Sequence, residues 1–67
     1  MSNKDVAKRL VTLRKRKEET QEEVAQAVGI SVSAIKMYEI GLRIPRDPIK
    51  IKLAKHFDVS VEFIFFT

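Results

Sequence analysis

Few residues in this sequence could do covalent chemistry. His56 is its one histidine, following Lys55 with no acid three or four positions before it. Cysteine is absent, which removes any disulfide frame or thiolate zinc site. The carboxylate pairs Glu18-Glu19 and Glu22-Glu23 are adjacent in sequence. Neighbouring helical side chains diverge by about 100°, so neither pair converges on one substrate atom. Turn solvation and capping account for them. No catalytic residue, metal or cofactor is therefore expected, and the chain is not read as an enzyme.

What remains is positive charge. Thirteen Lys and Arg against nine Asp and Glu give a net charge of +4. Seven of the thirteen precede residue 18: Lys4, Lys8, Arg9, Arg14, Lys15, Arg16 and Lys17. A basic excess favours polyanions, nucleic acid above all, although a solvated helix face has the same composition.

Those charges need elements to position them. At 67 residues, 45% hydrophobic and 33% charged, the composition is globular and fits one domain over residues 1–67. Val6, Leu10 and Leu13 recur at helical spacing among basic residues, which predicts a helix over about 4–17 with Ser2 or Asn3 as its cap. Thr20-Gln21-Glu22-Glu23 is a complete capping box that starts a second helix at Gln21. Val24, Ala25 and Val28 form its inner stripe, and Gly29 ends it in the left-handed conformation. Ser31 caps a third helix over 32–40, which Gly41 closes. Residues 42–46 form a loop. Asp47 then reads as the cap of a fourth helix with Pro48 at its first position, running to about Phe57 and burying Ile49, Leu53, Ala54 and Phe57. Asp58 takes the turn, and Ser60 caps a short fifth helix with Phe63 and Ile64 in the core.

The fold class is thus all-α with five helices, and the pair at about 21–40 is its informative part. Two short helices joined by a tight turn and crossing at roughly 90–120° make a DNA-binding helix-turn-helix. Such a crossing needs a small residue, a left-handed turn residue and bulky apolar residues facing back. Ala25, Gly29, and Ile35 with Tyr38 supply them at matching offsets.

The stretch Thr20-Gln21-Glu22-Glu23-Val24-Ala25, then Gly29-Ile30-Ser31, Ile35, Tyr38-Glu39 and Gly41, closely resembles the lambda-repressor/Cro-like (XRE-type) family of phage and bacterial regulators. The likeness continues through Leu53-Ala54 and Phe57-Asp58-Val59-Ser60-Val61-Glu62-Phe63-Ile64, covering about residues 6–64. The resemblance implies a compact five-helix fold and a sequence-specific transcriptional regulator, most simply a repressor. It implies that Val32, Ser33, Lys36 and Met37 read bases in the major groove. Gln21, Ser31, Arg43 and Arg46 would touch the DNA backbone, and Arg14 would bridge to Glu39. Val32 and Met37 cannot hydrogen-bond base edges but can touch thymine methyl groups, so T-rich contacts are expected.

Four residues depart from the family pattern. Glu18 stands where it has Gly, so the first turn is expected to differ or be strained. Glu19 replaces an apolar residue there, Ile40 an Asn, and Leu42 a Lys or Arg. One or two backbone contacts are therefore expected to be missing.

The implied partner is double-stranded DNA, bound as a homodimer on a palindrome. Phe65 and Phe66 exceed what a five-helix core needs and are read as the dimer surface. Other readings are a protein-interaction module of the same fold (antitoxin-like or anti-repressor) and a restriction-modification controller. The start of the chain has no apolar run, so no signal peptide is expected. The longest apolar stretch, Phe63-Ile64-Phe65-Phe66, is far too short to span a bilayer. The expectations are a cytoplasmic protein with no membrane contact and no small-molecule effector.

Overall fold

Four of the five helices end in the same way, and that shared ending sets the path of the chain. A computed structural model describes residues 3–66, so Ser2 as a cap lies outside the described residues. The elements are α1 (Asn3–Arg16), α2 (Gln21–Val28), α3 (Val32–Glu39), α4 (Asp47–Phe57) and α5 (Val61–Phe65), with no strand among the described residues. After each of α1 to α4 one residue turns left-handed: Glu18 at φ 56°, Gly29 at 81°, Gly41 at 81° and Asp58 at 56°. The next amide then reaches back five residues, from Glu19 to Arg14, Ile30 to Ala25, Leu42 to Met37 and Val59 to Ala54. These bonds satisfy carbonyls that each helix end would leave open. Glycine takes this conformation without a Cβ penalty; Glu18 takes it with one.

The starts follow side-chain caps. Thr20 Oγ1 accepts from the Glu23 amide at 3.1 Å, and Glu23 Oε1 accepts from the Thr20 amide at 2.8 Å. Ser31 and Ser60 each accept from the amide three residues on. Helix α4 departs from expectation. Asp47 lies inside the helix and the extended Arg46 precedes it without a side-chain cap. The Asp47 carboxylate pairs with Lys50 at 3.5 Å instead and sits where the helix dipole favours an anion. Asn3 likewise is the first residue of α1.

The core joins Val6, Leu10 and Leu13 to Val24, Ala25, Val28, Ile35, Leu53, Ala54, Phe57, Ile64 and Phe65. One assignment at the end of the chain is reversed. Phe63 is 46% exposed, whereas Phe65 is 6% exposed and belongs to the core. Val61, Ile64 and Phe65 share a face of α5 at i, i+3 and i+4, and the neighbouring helices bury that face while Phe63 points away.

Candidate nucleic-acid interface

Ile35 anchors α3 into the core and leaves its opposite side open. Ser33, Lys36 and Met37, spaced i, i+3 and i+4, are exposed on that side. Val32 is half-buried against the core and offers only an edge to the same surface. Ser31 Oγ accepts from Ala34, which leaves its hydroxyl hydrogen free to donate.

Glu39 organises the neighbouring corner. Arg14 Nε donates to Glu39 Oε2 at 2.7 Å and Arg14 Nη2 to Oε1 at 3.0 Å, a two-pronged pair. Gln21 Nε2 also donates to Oε1, at 3.0 Å. Gln21, expected at a phosphate, is therefore held to Glu39 through one amide hydrogen, with the second still available. The pair is mostly enclosed, the side chains being 15% and 6% exposed. Hydrogen bonding to Glu39 raises the Arg14 pKa against the lowering effect of burial, and the charges of Glu39 and Glu22 raise it further. A raised basic pKa means that the contribution is fully present below the ordinary Arg value and is lost only as pH climbs above it.

Arg14 Nη1 also donates to the Glu19 carbonyl at 3.0 Å, and the Glu19 carboxylate meets His56 Nε2 at 2.7 Å. Lys17 Nζ donates to the His56 carbonyl at 3.0 Å. The histidine thus joins α4 to the α1–α2 turn through the acid that replaces an apolar family residue. Sequence reasoning missed this contact because 37 positions separate the partners.

Arg43 and Arg46 are exposed and share a cleft of about 380 Å³ with Tyr38, Ile44 and Ile49. Tyr38, read as a core residue, is half-buried and faces both the core and this cleft. Phe66 is 63% exposed and lies under Lys50 Nζ, 4.9 Å from its ring centre. Phe65, expected beside it at a dimer surface, is enclosed in its own chain's core. Among the described residues no cluster of acids and histidines could hold a metal ion, and no helix is long and apolar enough to cross a membrane.

No curated protein and no solved structure matches the chain significantly. A family profile described as helix-turn-helix matches residues 10–64. The match takes in the second and third helices, the turn between them and the core that supports them. The chain belongs to the helix-turn-helix family of the lambda-repressor type, whose members are DNA-binding regulators.

Proposed function

We propose that this protein is a repressor that binds a palindromic operator as a homodimer. The observation that carries the reading is the outward face of α3, where Ser33, Lys36 and Met37 stand exposed opposite the buried Ile35. Placed in the major groove, Lys36 and Ser33 offer hydrogen bonds to base edges, while Met37 and the edge of Val32 offer contact to thymine methyl groups. Gln21, Ser31, Arg43 and Arg46 hold the backbone on either side, and such contacts fix register without reading sequence. Phe66, just past the end of α5, and Phe63, on its exposed side, are the proposed dimer surface, with Phe65 supporting them from within. The protein acts in the cytoplasm, and neither cofactor nor small-molecule effector has a part in this reading.

Selection of bound sequences from random duplex DNA tests it. The expected product is a two-fold symmetric site with T-rich half-sites. Exchanging Ser33, Lys36 and Met37 together changes the selected sequence while the helical content is unchanged. Selection of the same site by that variant overturns the assignment of α3.

A further inference from the structure

Ile40 and Leu42 lie at the end of α3 and the start of its loop, 64% and 67% exposed. Neither side chain can donate a hydrogen bond to a phosphate. The fold sets another source of charge beside them. The first turn of α1 abuts this loop: the Asn3 side-chain amide donates to the Gly41 carbonyl at 3.4 Å. A Cβ on Gly41 would lie 3.5 Å from the Asn3 carbonyl oxygen. A groove of about 390 Å³ lies between α1 and the end of α3, with Ala7, Val11 and Ile40 as its apolar lining and Lys4 and Lys8 on it. Glu39 also borders the groove, but Arg14 neutralises its charge and Gln21 donates a hydrogen bond to it. Lys4 and Lys8 are exposed, one helical turn apart, and in no ion pair among the described residues. Lysine stems cover apolar surface while their ammonium groups stay in water, ready for an anion.

We propose that Lys4 and Lys8 form a further DNA-backbone contact, taking flanking phosphates beside the point where Ile40 and Leu42 provide no donor. The inference rests on the DNA-binding reading of α3. Charge and placement favour DNA over an acidic partner protein: the groove carries two lysines and is bordered by Ile40 at the end of the proposed reading helix, three residues before Arg43 in the chain. The contact carries no sequence information, since phosphates are alike at every base pair.

The test is the salt dependence of binding to a selected duplex and to a random duplex, for the wild type and for Lys4→Gln/Lys8→Gln. Each phosphate neutralised contributes about 0.9 to the slope of log affinity against log salt. The double variant is expected to lose about 1.8 of that slope, equally on both duplexes. A steep wild-type slope with an unchanged variant slope overturns this contact and leaves the DNA-binding reading standing; a wild type that binds neither duplex overturns both. Loss confined to the selected duplex also overturns it. As a second measurement, adding duplex to the wild type is expected to shift the amide resonances of Lys4, Lys8 and Val11. Their invariance, or their response to an acidic peptide in place of DNA, overturns the proposal.

Discussion

At the scale of single residues, Glu39 does the most with one side chain. It accepts three hydrogen bonds, two from Arg14 and one from Gln21, and so ties α1 and the start of α2 to the end of α3. Removing one partner of an enclosed pair strands the other without its counter-charge. Glu39→Ala is expected to lower stability by about 3 kcal/mol, whereas exposed Glu22→Ala costs less than about 0.5 kcal/mol. Thermal melts of the two variants check this, and equal melting temperatures would refute the role given to the pair. The same substitution frees Gln21, so backbone affinity is expected to fall even where the domain stays folded. Arg14 and Glu39 were legible as a pair through the family resemblance. That Gln21 shares the acceptor was not, because nothing local links positions 21 and 39.

At the scale of elements, the left-handed endings separate the favourable from the strained. Gly29 and Gly41 hold φ of 81° with no side chain to oppose it. Glu18 holds φ of 56° with a Cβ, and its side chain is exposed. Relief of left-handed strain is worth about 1–2 kcal/mol, offset by the greater freedom of glycine in the unfolded chain. Glu18→Gly is therefore expected to stabilise the domain by up to about 1 kcal/mol. Gly29→Ala is expected to destabilise it by about 1 kcal/mol although a Cβ there would meet nothing within 4 Å. Denaturant titration measures both, and a stabilising Gly29→Ala would show that the turn adjusts its backbone. The turns were the most readable part of the chain, since each is a contest among a few adjacent backbone groups. Helix α4 shows the limit: Asp47 is its first residue and not its cap, and the extended Arg46 before it makes no side-chain cap bond.

At the scale of the whole molecule, the proposed palindrome needs one copy for each half-site. The chain measures 26 × 23 × 22 Å, less than the roughly 34–36 Å between half-sites one helical turn apart. The two terminal phenylalanines separate the roles of core and surface. Phe65→Ser empties a core site and is expected to cost about 3–5 kcal/mol. Phe66→Ser leaves the fold intact and, in the dimer proposed here, shifts sedimentation from two chains to one. A Phe66→Ser variant that stays dimeric, or a wild type monomeric at high micromolar concentration, would remove α5 as the dimer surface.

The sequence by itself determined the number and order of the helices, the helix-turn-helix at α2 and α3, and the exposure of Ser33, Lys36 and Met37 on α3, though not the half-burial of Val32. Those features depend on capping boxes, left-handed glycines and apolar spacing, all of which act within a few residues. Only the tertiary structure decided that Phe65 and not Phe63 enters the core, because five residues are too few to show a periodicity and neighbouring helices choose the buried face. It alone brought Glu19 to His56 across 37 positions, and Lys4 and Lys8 to the groove beside Ile40. Such contacts follow from how helices stack, and stacking is set by the shape of the shared core rather than by any local run of residues.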